Sequence, residues 1–487
     1  MADLALRSAA ELTAALRSRA LGASELLEHF LARVERWNPA LHAIVALDRE
    51  AARARARAAD EALARGESWG PLHGLPMTVK DSIEVAGMPC TSGAPELAGH
   101  RPAVSAPAAQ RLVDAGAIVF GKTNLPLYAG DFQSFNSLHG TTGNPWDPTR
   151  TPGGSSGGAA AALAAGLCGL ELGSDIGGSI RNPSHYCGVY GHKPSHGIVP
   201  LRGHIPGAPG SLREDDLGVI GPMARGAGDL ALALDLLAGP DEPAARAWRL
   251  ELPPARRTGL AGLRVALWLD DPFCPVDSEV GDVLQAAADA LARAGVVIDA
   301  KARPVDAGTS RAVYLQLLYG VLGVGFPPAL LAGCDAQAPQ LDPADGSLGA
   351  LFVRGVAQRH RDWLAAHEQR LALCARWAEF FREHDLLLAP VMPTVAFPHD
   401  HSEIAARTIA VNGEPFPYLE QIFWAGLATV ARLPATAVPV GRGRSGLPVG
   451  AQLVGPFLED RTPLACAAAM ADVVGGFVAP AGYGGED

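Results

Sequence analysis

The chain is short of lysine, cysteine and aromatic residues, and each shortage narrows what it can be. Among 40 basic side chains in 487 residues, only four are lysine: Lys80, Lys122, Lys193 and Lys301. Arginine is the default surface cation here. A position that keeps lysine is therefore a candidate for chemistry that needs an amine able to lose its proton near neutral pH. The seven cysteines, at 90, 168, 187, 274, 334, 374 and 466, form no C-x-x-C pair. Such a sparse, odd set reads as reduced thiols rather than a disulfide framework. An excess of positive charge is missing too: the net charge is -11, which argues against a nucleic-acid partner. The arginine-rich stretch 49–65 follows Asp48 and is interleaved with Glu50, Asp60 and Glu61, so it reads as a solvated helix face. No H-E-x-x-H or similar histidine spacing occurs, and neither a metal nor an organic cofactor is implied. The N-terminal MADLALRSAAELTAALRSRA carries Asp3, Arg7 and Glu11 where a signal peptide needs an apolar run, which predicts an amphipathic helix and a cytoplasmic protein. One uncharged run, 312–334, is long enough to span a bilayer. Gly320, Gly323, Gly325, Pro327, Pro328 and Gly333 break its second half, so a pocket-lining helix followed by a turn is expected instead of a membrane span.

What is present suits a large buried core: 48% hydrophobic and 19% charged residues, with no disorder signature. Residues 1–70 read as helices, with Leu27, Phe30, Leu31, Val34 and Trp37 at helical spacing behind Ser24 as an N-cap. Beyond 71, short apolar runs at 75–79, 117–120, 169–172, 264–267, 296–298, 386–389 and 449–453 predict strands. Helical patterns at 105–115, 158–166, 227–237, 280–294, 357–384 and 460–473 lie between several of them. This alternation predicts a layered α/β fold. One domain over 1–487 is expected. It divides into N-terminal helices (1–70), a core (71–240), a variable pocket region (241–430), and C-terminal strands with a helix returning to the core (431–487).

Two motif matches fail on physical grounds. Gly116–Thr123 fits G-x-x-x-x-G-K-[ST], but the intervening Ala117–Phe120 is itself the best strand of the region. A strand cannot wrap a phosphate with successive N–H groups. Gly153-x-Ser155-x-Gly157 fits the nucleophile elbow of α/β-hydrolases. Three prolines in the nine preceding residues, where that elbow needs a strand, argue against it, and histidine is not the obvious base. Lys80 closes the apolar run LPMTV; spacing alone fits an interior amine and a snorkelling cation equally well. A second serine site is GSDIGGSIR, residues 173–181. Eleven of the 39 residues from Gly153 to Gly191 are glycine, a density that permits close backbone approach. The successive N–H groups of Ile176 to Ser179 could then form a concave donor set for an oxyanion.

Taken together, GGSSGGAAAALAAGLCGLELGSDIGGSIRNPSHYCGVYGHKP (153–194), GLPMTVKDSIEVAG before it and GPMARGAGDLALALDLLAG after it closely resemble the amidase signature family. The likeness extends from the N-terminal helices to LPVGAQLVGP near the C-terminus; Ala159 departs from the serine often found there. The resemblance implies a single α/β/α sandwich around a large mixed sheet. It also implies a Ser–Ser–Lys triad, with Ser179 as nucleophile, Ser155 as the bridging serine after a cis peptide at Gly154, and Lys80 as base. In that scheme Ile176, Gly177, Gly178 and Ser179 form the oxyanion hole. Asp175 pairs with Arg181 to brace the turn, and Ser156 supports Ser155 by a hydrogen bond. The reading requires Lys80 to titrate near 7–8, far below its ordinary value of about 10.4. Burial can supply that shift provided no carboxylate sits against the amine. Asp81, next in sequence, should point to the opposite face of a strand.

The resemblance further places Ala129, Gly130 and Asp131 at the acyl part of the substrate. The 312–334 stretch and Trp424 are expected to form an apolar wall. The expected activity is acyl-enzyme hydrolysis of the C–N bond of a small uncharged aryl or alkyl amide, with esters or carbamates as further substrates. No nucleic acid takes part, and a homodimer is left open. The alternatives are the glutaminase subunit of a tRNA-dependent amidotransferase and a non-catalytic binding member of the family.

Overall fold

The computed structural model describes residues 4–206 and 208–484. Eleven strands among them build one sheet, in the spatial order Ile44–Leu47, Ile118–Thr123, Pro76–Lys80, Glu171–Asp175, Val219–Ala224, Tyr190–Lys193, Ala435–Arg442, Pro448–Val454, Leu386–Pro390, Arg264–Leu267 and Val297–Asp299. Pro76–Lys80 runs parallel to both its neighbours, and Arg264–Leu267 likewise. The six other pairings are antiparallel. Every residue of Pro76–Lys80 and Glu171–Asp175 is buried. A strand buried on both faces must be covered by helices on both, and fourteen α-helices are present among the described residues. The fold is the layered α/β arrangement that the sequence pattern predicts, built around the large mixed sheet that the family resemblance implies.

The uninterrupted apolar runs all became strands, but four strands of this sheet lie outside them. Ile44–Leu47 breaks the N-terminal helical region. Val219–Ala224 and Ala435–Arg442 carry proline and glycine within the strand, and Tyr190–Lys193 carries glycine and charge. Packing on both faces overrides the weak local preference of such segments. Ser24 is not an N-cap. The helix starts at Ala23, and the carboxylate of Asp60 accepts the N–H groups of Ala23 (2.6 Å) and Ser24 (3.0 Å). The 312–334 run also differs from expectation in its second half. The helix Ala307–Leu322 breaks through Gly323–Gly325, and helix resumes at Pro328–Gln337, with proline at its first turn, where the missing N–H is harmless. No helix among the described residues is long and apolar enough to cross a membrane.

The glycine-rich block gives the centre of the fold its shape. All eight residues of the helix Gly157–Ala164 are buried, because glycine and alanine let it lie close against neighbouring strands. A Cβ on Gly158 would stand 2.4 Å from the backbone nitrogen of Asn124. The segment 116–123, which matches a phosphate loop in letters only, is indeed strand from Ile118.

Candidate active site

Three of the four lysines are fully buried, and their surroundings separate their roles. Lys122 donates to the carbonyls of Ile83 (2.6 Å) and Pro89 (3.2 Å), with Asp81 at 3.8 Å. Lys193 donates to Pro194 O (2.9 Å). These two lysines tie loops to strand ends. Lys80 closes the strand Pro76–Lys80 and faces hydroxyls only: its Nζ lies 2.6 Å from Ser155 Oγ and 2.9 Å from Ser174 Oγ. Burial pushes its pKa down to about 7, against the opposing fields of Asp175 and Glu171. Asp81 does point away. Its carboxylate accepts from Thr91, through both backbone N–H (3.0 Å) and hydroxyl, and lies beside Lys122.

Ser155 sits where the chain reverses between Pro152 and the helix Gly157–Ala164, and the Gly154–Ser155 peptide is cis. The preceding glycines are required by close approach: a Cβ on Gly154 would lie 2.5 Å from Asp131 O, and one on Gly153, where φ is +89°, would lie 2.3 Å from Asn182 Oδ1. The backbone of Asp131–Gln133 therefore packs directly on the segment that carries Ser155. The Ser156 N–H donates to Ser179 O (3.0 Å), which joins this segment to the turn of the second serine. Ser156 does not support Ser155 through its side chain. Its hydroxyl instead engages the backbone of Ser174, at 3.3 Å from the carbonyl and 3.4 Å from the N–H.

Ser179 lies on the turn between the strand Glu171–Asp175 and the helix Arg181–Cys187, and is 7% exposed. Asp175 and Arg181 meet at 2.8 and 3.0 Å in a fully buried, two-pronged pair. Burial alone would raise the Asp175 carboxyl; the guanidinium outweighs it and holds the pKa at about 2. The same carboxylate accepts the N–H groups of Gly178 (2.9 Å) and Ile180 (3.1 Å), so it fixes the shape of the turn. Here the sequence reading needs correction, because the Gly178 N–H is already taken by Asp175 and is not a free oxyanion donor. The N–H groups of Ile176, Gly177 and Ser179 have no hydrogen-bond partner among the described residues. Tyr314, from the helix Ala307–Leu322, donates to Ile176 O (2.9 Å) and steadies that peptide.

The proposed substrate contacts are placed less simply. Ala129 and Gly130 close a short turn at the surface of the same segment. Asp131 is partly buried and already engaged: it accepts from Arg407 Nη1 (2.6 Å), Tyr418 Oη (2.5 Å) and the Gln133 N–H (3.3 Å). Trp424 is not a pocket wall. It has no exposed surface, its Nε1 donates to Cys274 O (3.1 Å), and it packs edge-on to Trp268 and Phe423 in the core. Ile422 and Ala425 are the residues of that region nearest the turn, 3.1 Å from where Cβ atoms would stand on Gly177 and Gly178. Sequence reasoning missed Ser174. The available signal was alternation along a strand, which sets the residue before Asp175 on the opposite face from it. No three His, Cys, Asp or Glu side chains among the described residues are grouped as metal ligands.

A family model for amidase matches residues 25–325 and 345–464. The chain belongs to the amidase signature family. Among relatives of this amidase, a glutamyl-tRNA(Gln) amidotransferase subunit of Anaeromyxobacter sp. (strain K) is 35% identical, with 96% of each chain covered. Among solved structures, a bacterial aryl acylamidase of the same family superposes with a TM-score of 0.79 at 26% identity, covering 96% of both chains. A chain from a vestigial protein complex that reveals the origins of an s-triazine catabolic enzyme gives 0.80 at 30% identity, over 97% of this amidase and 100% of that chain. The protein is thus an amidase-family hydrolase, of a kind that acts on carbon–nitrogen bonds.

Proposed function

We propose that this amidase cleaves a small amide by way of an acyl-enzyme on Ser179, with Ser155 and Lys80 as the proton path. The observation that carries the reading is the buried Lys80 amine at 2.6 Å from Ser155 Oγ with no carboxylate in contact among the described residues. A neutral amine there donates to Ser174 and presents its lone pair to the Ser155 hydroxyl. Ser155 in turn takes the proton of Ser179 as that oxygen attacks the carbonyl. The free N–H groups of Ile176, Gly177 and Ser179 are the candidates to hold the tetrahedral oxyanion, each such donor being worth about 3–4 kcal/mol in other hydrolases. Ser155 then returns the proton to the departing amine, and water releases the acyl group.

For the substrate, a carboxamide of the glutamine kind has more support than the uncharged aryl or alkyl amide expected from sequence. Relatives at 31–35% identity over at least 90% of this chain are amidotransferase subunits. The surroundings of the site include the partly buried Asp131–Arg407 pair, and the tryptophan expected as an apolar wall is enclosed in the core. The likeness to an aryl acylamidase keeps the neutral amide as the second reading. Ammonia release from L-glutamine, alongside amine release from neutral anilides, separates them. Glutamine should be the better substrate by kcat/KM, and co-purification of partner subunits from the native host would add to that reading. Turnover confined to neutral anilides would overturn it. Ser155→Ala should lower turnover of any accepted amide by about 10²–10⁴-fold, with the circular-dichroism spectrum and Tm unchanged. Activity within tenfold of the wild type would remove Ser155 from the proton path.

A further inference from the structure

Glu171 is a buried carboxyl that the chemistry above does not use. It interrupts the apolar run LCGLELG, has no exposed surface, and opens the strand Glu171–Asp175. Its Oε1 accepts from the Thr123 hydroxyl at 2.5 Å, and its Oε2 from the Leu172 N–H at 2.5 Å. No basic nitrogen among the described residues lies within 4.0 Å of it. Three other deeply buried acids lie beside a basic side chain: Asp175 has Arg181, Asp81 has Lys122, and Asp460 has His192. An uncompensated carboxylate at such a site costs several kcal/mol, which is a poor arrangement for stability alone.

The sheet register shows where its field acts. Glu171 pairs with Thr78 on the neighbouring parallel strand, and Lys80 is two residues further along that strand. The groups around Glu171 can be named element by element. From Pro76–Lys80 come Thr78 and Lys80, and from Ile118–Thr123 come Thr123 and, directed away toward Ile83 O, Lys122. Its own strand contributes Asp175, already paired. Beyond the opposite neighbour lies Arg225, on Leu163 O and Cys168 O, and Cys168 itself precedes the strand.

We propose that Glu171 is a positioning residue for the reaction, a buried acid whose charge sets the fraction of Lys80 present as free amine. This rests on Lys80 being the base. Burial keeps the Lys80 amine largely neutral at rest, and the carboxylate, without touching it, opposes burial and stabilises the ammonium formed during acylation. Burial brings Glu171 up to about 7 and Lys80 down to about 7, and two opposite groups so matched titrate as a pair.

The test is the pH dependence of Ser179 labelling by a fluorophosphonate, which needs no knowledge of the substrate. In Glu171→Gln the charge that favours the ammonium is gone. The midpoint of the acid limb of the labelling rate should move to lower pH by up to about half a unit, making labelling at pH 7 about 1.5-fold faster than in the wild type, a gain that fades below pH 6 where wild-type Glu171 is itself protonated. Thr123→Val leaves Glu171 in place but removes the hydroxyl that favours its ionised form, so its acid limb should move the same way by less. It also decides the matter if Glu171→Gln does not fold. An acid limb unmoved in a folded variant overturns the proposal. Lys80→Met serves as the reference: if it labels like the wild type, the lysine is not the base and the catalytic reading itself fails, a distinct outcome.

Discussion

Lys80→Arg is expected to lose essentially all amide turnover, by about 10³-fold or more, although the positive charge is kept. A base at this position must pass through a neutral state near pH 7, and a guanidinium does not. The wild-type amine reaches that state because burial holds it to about 7, with Ser155 and Ser174 hydroxyls as its contacts. The sign of the pH effect follows: activity should fall as pH drops below about 7 and Lys80 gains its proton, with Ser179 still in place. Fluorophosphonate labelling in parallel with turnover checks this, since Lys80→Arg should fail in both. A variant that keeps the wild-type acid limb and more than a tenth of the rate would place the base elsewhere. Lys122→Arg is the matched control, because Lys122 bonds to carbonyls and has no hydroxyl partner among the described residues.

Much of this site could be read from the sequence, for reasons that differ residue by residue. Lysine scarcity narrowed the field to four and the family resemblance picked Lys80 among them; whether its strand carries it inward was decided only by the burial of that strand on both faces. The glycine runs marked the two serine turns, because only glycine tolerates Asp131 O or Asn182 Oδ1 where a Cβ would be. The strands found were those whose own residues suffice to specify them. Those missed, such as Val219–Ala224 with its Gly221 and Pro222, are specified by neighbours far away in the chain. The oxyanion donors were misjudged at Gly178 because a backbone N–H carries no sequence label, and its capture by Asp175 depends on how the turn closes. Trp424 was misplaced because an aromatic residue near a site in sequence says nothing of which way its helix turns; the helix Phe423–Val430 presents Ala425 to Gly178 and sends the indole into the core.

Asp175→Asn should damage stability and catalysis together. The amide keeps the volume but loses the charge, so Arg181, with no exposed surface, is left without its counter-ion and retains only Ala425 O, Gln452 Oε1 and Thr429 Oγ1. Breaking a buried pair from one side costs about 3–5 kcal/mol, which thermal or urea unfolding will show directly. One of the two carboxylate oxygens also becomes an NH₂, which cannot accept both sets of N–H groups now held at Gly178, Ile180 and Arg181. The turn then no longer fixes the N–H groups of Ile176, Gly177 and Ser179, and the loss of one aligned donor lowers kcat by about 10²–10³-fold. The wild-type pair is insensitive to pH over the working range. A carboxyl depressed to about 2 contributes its full stabilisation above the unfolded value near 3.9 and loses it only as pH falls toward 2. The stability gap between wild type and Asp175→Asn should therefore be constant from about pH 5 to pH 8 and close on acidification. A gap that instead narrows near neutrality would mean that a different ionisation, not this pair, holds the turn.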